Sequence, residues 1–227
     1  MSTPAPAVCV LDVNETLSDL SALDGRFDAV GLAGQREVWF ASVLRDGFAL
    51  SLVGRSPVFA EVAADLLRGR LIAAGVRGDA VDESVQHVLG GFGSLPLHPD
   101  VAPGLRRLHA AGVRLVPLTN GATAMSDALF EQADLLPLFD GRLSVEDVGP
   151  WKPHPTPYAY ALDQCAVAAS EALMVAVHPW DLQGAHSAGL STAWVRRGPG
   201  EWPGCFDEPT LVASGVDELA EMVLAGS

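Results

Sequence analysis

Three stretches of this chain are apolar without interruption and turn polar only at their C-terminal ends: "AVCVLDV" (7–13), "VRLVPLTN" (113–120) and "ALMVAVHPWD" (172–181). A strand with one solvated face alternates apolar and polar residues, so unbroken runs indicate strands covered on both faces. A parallel sheet between two layers of helices meets that condition. A shorter run, "STAWV" (191–195), fits a further strand. Helical patterns lie between these runs. "DVAPGLRRLHAAG" (100–112) puts Val101, Leu105 and Leu108 on one stripe, with Asp100 as N-cap and Gly112 as stop. "TAMSDALFEQAD" (123–134) begins on Thr123 and carries Met125, Leu129 and Ala133 four apart. This alternation predicts an α/β fold with a doubly wound, Rossmann-like parallel sheet.

Residues 18 to about 97 break the rhythm. "QREVWFASVLRDGFAL" (35–50), "PVFAEVAADLLRGRLIAAG" (57–75) and "DAVDESVQHVLGGF" (79–92) all suit helices, and no strand-like run separates them. A helical insertion after the first strand is expected, dividing the chain into a core of 1–17 and 98–227 and an inserted unit of 18–97. "RRGPGEWPGC" (196–205) reads as a Gly/Pro-rich surface loop.

In an open parallel sheet, ligands bind beyond the carboxyl ends of the strands. Those ends carry Asp12, then Thr119 and Asn120, then Asp181. Charge narrows the partners. The net charge of −14 opposes nucleic acid and anionic membranes, while a small anionic substrate depends only on local groups. No basic leader and no apolar stretch of roughly 18–20 residues is present, so no membrane association and a cytoplasmic location are expected. The three cysteines, Cys9, Cys165 and Cys205, form no CxxC pair and read as small buried hydrophobes. Of 14 Lys and Arg residues, 13 are arginine, and Lys152 is the single lysine. Its retention points to a compact charge in a tight pocket, which the wider guanidinium does not fit.

Taken together, "DVNETL", "LTNG", "WKPHPTPYAYAL" and "VHPWDLQGA" resemble, in order, the motifs of the haloacid dehalogenase superfamily, and more narrowly its type II (L-2-haloacid) dehalogenase branch. The resemblance covers nearly the whole chain. It implies a Rossmann-like core with residues 18–97 as a helical cap domain, Asp12 as nucleophile, no cofactor and no metal, and a homodimer. It also matches Tyr158 to the family tyrosine, and Trp180 and Phe59 to apolar positions closing the substrate pocket. Each equally suits ordinary core packing, and for Phe59 and Trp39 core or cap packing is the expected role. The family's halide-receiving cap arginine falls on Gln35, with Arg36 adjacent, and Ala176 and His178 stand where the family has Ser and Asn. His178 either positions water or is a hydrogen-bonded strand-end histidine.

The residue chemistry supports these roles independently. A carboxylate such as Asp12 can displace halide from carbon, or attack phosphorus, and leave an ester for water to cleave. Lys152 beside it would keep it ionised, and Asp181 adds a second acid that needs the same cation. Thr16, Thr119 and Asn120 supply hydroxyl and amide groups to orient Asp12 or the substrate carboxylate. Asn14 separates two chemistries. Superfamily phosphatases place an acid at that position to protonate an alkoxide, whereas halide leaves without a proton. Glu15 is acidic but one position out of phase, and is expected to point elsewhere. Asp12, Asp181 and Lys152 sum to −1. A phosphate monoester adds about −2 and demands Mg²⁺, while a 2-haloacid adds only one negative charge. The expectation is a metal-independent hydrolase of small 2-haloalkanoic acids. A Mg²⁺-dependent phosphatase of small metabolites, and a catalytically altered binding protein on the same scaffold, remain open alternatives.

Overall fold

A computed structural model describes residues 5–226. Along the chain run β1 (Val8–Leu11), α1 (Asp24–Ala29), α2 (Arg36–Leu52), α3 (Phe59–Ala73), α4 (Asp79–Leu89), α5 (Val101–Ala110), β2 (Arg114–Thr119) and α6 (Thr123–Gln132). Then follow β3 (Leu143–Ser144), α7 (Pro155–Cys165), β4 (Ala172–Ala176), α8 (Pro179–Ser187), β5 (Ser191–Val195), β6 (Leu211–Ala213) and α9 (Val216–Ala225). The six strands form one sheet in the order β3-β2-β1-β4-β5-β6, and every pairing is parallel. This is the α/β, doubly wound sheet that the apolar runs predict.

Its physical basis is visible in the central strands. All four residues of β1 and all five of β4 are buried. Cys9 and Leu11 point into one apolar layer, while Val8 and Val10 point into the other. A strand sealed on both faces has no polar positions to alternate. The connections leave β1 in one direction through β2 to β3, and in the other through β4 to β6. Strand order therefore reverses between β1 and β4, and a crevice opens there at the carboxyl ends.

Three local expectations need correction. The third apolar run stops being a strand at Ala176, and Trp180 and Asp181 lie in the first turn of α8, which Pro179 opens. A proline at the first helical position loses no hydrogen bond, and an acid in that turn faces the positive end of the helix dipole. Asp100 stands at the N-cap of α5, but its side chain makes no bond to that helix. It accepts instead from Arg197 Nη1 at 2.6 Å on one oxygen and from the Val216 N–H at 2.6 Å on the other, so both carboxylate oxygens are taken by partners outside α5. Cys9 and Cys165 are buried, but Cys205 is exposed.

No strand interrupts α1 to α4. Phe27, Trp39, Phe40, Phe59 and Phe92 share an aromatic cluster among these helices, with ring centroids 5.3–6.4 Å apart. The segments leading into and out of this layer run side by side. Ser18 bridges Leu97 antiparallel, Asp19 N–H donates to Pro96 O at 2.8 Å, and His98 N–H donates to Leu17 O at 2.9 Å. Among the described residues no helix is long and apolar enough to cross a membrane.

Candidate active site

Beyond the tip of β1, the turn 12–16 brings Asp12 and Thr16 together. Thr16 Oγ1 donates to Asp12 Oδ2 at 2.6 Å and accepts from the Val177 N–H at 2.9 Å, which ties the turn to the end of β4. Lys152 arrives from the segment before α7. Its Nζ lies 2.8 Å from Asp12 Oδ1 and 2.7 Å from Asp181 Oδ2, and it is wholly buried. Tyr158, in the second turn of α7, donates its hydroxyl to Asp181 Oδ1 at 2.5 Å and to Asp181 O at 3.0 Å. Gly184 makes this approach possible. A Cβ there would lie 2.6 Å from Tyr158 Oη and 2.8 Å from Pro153 Cβ.

One buried ammonium between two buried carboxylates decides the protonation pattern. Burial opposes ionisation of Asp12, but the charge and hydrogen bond of Lys152, together with Thr16, hold its carboxyl below the usual carboxylate range. Burial and the neighbouring Asp12 charge push Asp181 upward against the pull of Lys152. Burial disfavours charge on Lys152 as well, yet the two acids raise its affinity for the proton. Tyr158 is held well above the ordinary phenol range by burial and Asp181, so it remains a donor. The cluster is thus a charged nucleophile candidate, a permanent cation and a second acid of higher proton affinity.

The other expected residues divide into groups. Asn120 faces Lys152 rather than Asp12: its Oδ1 accepts from the Lys152 N–H at 3.0 Å, and its Nδ2 approaches Lys152 O at 3.5 Å. Both ends of its amide meet the backbone of Lys152 and place that segment, with one Nδ2 hydrogen unused among the described residues. Thr119 Oγ1 accepts from the Gly121 N–H at 3.0 Å and braces its own turn. The Asn14 side chain makes no hydrogen bond among the described residues, while its carbonyl accepts from His178 Nε2 at 3.2 Å. Because a carbonyl only accepts, that ring nitrogen carries the hydrogen. His178 Nε2 is also 3.8 Å from Asp12 Oδ2, and its ring stacks on Trp180 at 4.9 Å. Trp180 in turn meets Phe48 of α2 at 4.8 Å. Phe59 is buried against Trp151, with centroids 5.7 Å apart.

Gln35 and Arg36 part company. Gln35 Oε1 accepts from Arg70 of α3 at 3.1 Å, within the helical layer. Arg36 lines a cleft of about 260 Å³ with Glu15, Asp19, Glu37, His98, His178 and Arg197. Its neighbours are Asp24 at 2.7 Å, Glu37 at 3.5 Å and Glu15 at 3.7 Å. Adjacent helical residues point about 100° apart, and the structure turns Arg36, not Gln35, toward the cleft. Another cavity, about 250 Å³ and mostly apolar, lies where β4, β5 and β6 begin, at the opposite edge of the sheet.

Three contributors were not evident from the motifs. Glu15, expected to point away, adopts φ 63° and faces His178 at 3.7 Å; the left-handed turn reverses the direction that an extended turn would give. Arg197, read as part of a surface loop, donates from Nη2 to Thr16 O at 2.8 Å. Its place just past the carboxyl end of β5 was the available signal. Trp151 donates its N–H to Ser51 Oγ at 2.9 Å and its Nε1–H to Pro57 O at 2.7 Å, fastening the Lys152 segment beneath α2 and α3.

The donor set does not fit a divalent metal. Lys152 Nζ fills the space between the two acids, Tyr158 and Lys152 take both Asp181 oxygens, and among the described residues no group of three or more His, Cys, Asp or Glu side chains is placed to hold an ion. Residues 6–189 match the family model described as haloacid dehalogenase-like hydrolase. The chain belongs to that family. It is 28% identical over 221 residues to an (S)-2-haloacid dehalogenase of Pseudomonas putida, covering 94% of this chain and 93% of the relative. It is 30% identical over 189 residues to an (S)-2-haloacid dehalogenase of Pseudomonas sp. strain YL, covering 82% and 81%. Among solved structures, L-2-haloacid dehalogenase from Xanthobacter autotrophicus superposes with a TM-score of 0.85 at 25% identity, covering 97% of this chain and 99% of that one.

Proposed function

We propose that this haloacid dehalogenase-like hydrolase cleaves the carbon–halogen bond of small 2-haloalkanoic acids without a metal, through an ester on Asp12. The observation that carries the reading is the Asp12–Lys152–Asp181 cluster, in which one ammonium holds the nucleophile charged and no acid stands at position 14. An Asp12 oxygen attacks C2 from the side opposite the halogen. The new C–O bond forms as the C–X bond breaks, halide departs with the electron pair, and C2 inverts.

Water then attacks Cγ of Asp12 as Asp181 takes its proton, and the bond from Cγ to the oxygen on C2 breaks. Asp181 returns the proton to the departing oxygen, which leaves as a 2-hydroxy acid, while the regenerated Asp12 carboxyl loses its proton to solvent. Esterification removes the Asp12 charge that raises Asp181, so Asp181 becomes the sole carboxylate partner of Lys152 in the cluster and is ionised to take the proton from water. Thr16 orients Asp12, Tyr158 and Asn120 hold Asp181 and Lys152, and His178, Trp180 and Arg36 line the approach. In this reading residues 18–97 form the cap over a core of 1–17 and 98–227. The antiparallel pairing of Ser18 with Leu97 at the crossing supports that division. A homodimer is part of the same proposal, tested by light scattering.

The deciding experiment is a single turnover of 2-chloropropionate in ¹⁸O water followed by mass spectrometry of the peptide containing Asp12. Label in Asp12 and none in the product is expected. Label in the product alone would show direct attack of water on C2 and overturn the ester.

A further inference from the structure

Resting on that function, we infer that Glu15 is a specificity-determining residue: an internal carboxylate standing on the groups that a substrate's anionic group must use. Its backbone is the first sign. A glutamate at φ 63° is strained relative to the right-handed region, and such outliers persist where surrounding structure holds them. Here His98 Nε2 meets the Glu15 carbonyl at 3.2 Å, and Arg197 holds the next carbonyl, that of Thr16.

The side chain is the second sign. Glu15 Oε1 lies 3.7 Å from Arg36 Nη1, and Oε2 lies 3.7 Å from His178 Nε2. Both separations exceed a hydrogen bond, so the contacts are electrostatic and replaceable. Arg36 is otherwise committed on two edges, with Nε on Asp24 and Nη2 on Glu37. Nη1 is the guanidinium nitrogen without a hydrogen bond among the described residues, and Glu15 screens it. The same His178 Nε2–H lies 3.8 Å from Asp12 Oδ2, so the place that Glu15 occupies adjoins the nucleophile. Asp19 and Glu37 line the same cleft and add no cation, and its other guanidinium, Arg197, is committed through Nη1 to Asp100 and through Nη2 to the Thr16 carbonyl, with Nε buried. A carboxylate entering it must displace that of Glu15 from Arg36 Nη1, while the His178 Nε2–H stays on the Asn14 carbonyl.

The test is binding of propionate, an unreactive carboxylate, by calorimetry, beside steady-state kinetics on 2-chloropropionate and the neutral 2-chloropropionamide. In Glu15→Gln, propionate affinity should rise about three- to tenfold, as removal of a partly exposed competing charge allows. KM for 2-chloropropionate should fall by a similar factor, with the effect on KM exceeding that on kcat and no comparable fall for the amide. Glu15→Gly, which adopts φ 63° without strain, should show the same gain and covers the case in which the glutamine variant folds poorly. Propionate binding that is unchanged or weaker in both variants would overturn the inference. Because propionate binding needs no turnover, this outcome is separate from a failure of the dehalogenase reading.

Discussion

Lys152 Nζ sits 2.8 Å from Asp12 Oδ1, a pairing of the only ammonium side chain in the sequence with the carboxylate at the tip of the central strand. The lysine is fully buried and the aspartate nearly so. Removing one partner of a buried ion cluster typically costs about 3–5 kcal/mol. Lys152→Met should therefore lower the midpoint of thermal unfolding and reduce halide release by at least about a hundredfold, the scale of losing one preorganised electrostatic partner. Lys152→Arg should not restore the rate, because the planar fork is too wide for the space between Asp12 and Asp181. Halide release and calorimetry on both variants check this.

The pH profile follows from the same pair. In the proposed mechanism Asp12 acts as the anion, and Lys152 depresses its pKa despite burial. The acid limb of kcat/KM for 2-chloropropionate should fall below the ordinary aspartate value of about 3.9, to the extent that the protein survives there. In Lys152→Met the limb should move upward, since burial is then unopposed. An unmoved limb would show that Asp12 is not the group being titrated.

Tyr158 and Gly184 hold Asp181 in place. Tyr158→Phe leaves Asp181 Oδ1 without its donor, a loss of about 1–3 kcal/mol for a buried polar group. Gly184→Ala forces a methyl within 2.6 Å of the Tyr158 hydroxyl and should act in the same direction. Both variants should slow ester hydrolysis more than halide displacement. Intact-protein mass spectrometry during turnover should then show an adduct that is scarce in the wild type.

Asp100 links α9, the loop after β5 and, through Arg197, the turn 12–16. Burial works against its charge, but Arg197 and the Val216 N–H outweigh burial and lower its pKa. A depressed carboxylate stabilises the fold above its unfolded pKa, and that contribution is lost as pH falls through the folded value. Asp100→Asn should cost about 1–3 kcal/mol near neutrality and should flatten the decline of stability below about pH 4. Urea melts at several pH values measure both effects.

Position 14 tests the choice of chemistry. Asn14→Asp installs the acid that phosphate-ester cleavage uses, yet Asp181 keeps both oxygens on Lys152 and Tyr158. The variant should gain no Mg²⁺-dependent hydrolysis of p-nitrophenyl phosphate. Appearance of such activity would make the missing acid, rather than the ammonium between the carboxylates, the determinant.

Much of the framework was legible because sealed strands leave a one-dimensional trace. The runs at 7–13 and 113–120 and the start of the run at 172–181 contain β1, β2 and β4, and "STAWV" is β5 itself. β3 and β6 were not legible, since two or three residues carry no period. At the site, the isolated lysine and the acids beside the strand ends pointed to one another through composition and order alone.

What the chain order could not contain was direction. Whether Glu15 faces the cleft depends on one left-handed residue, and whether Gln35 or Arg36 does so depends on how α2 is rotated by packing of Trp39 and Phe40 into the aromatic cluster. Asn120 turned out to hold Lys152, and Asp100 to hold Arg197, because buried polar groups take whichever charged or backbone partner the packed elements bring within about 3 Å. Apolar periodicity determines which segments are buried and in what layers. Which polar groups meet across those layers is decided only when the helices and the sheet close on one another.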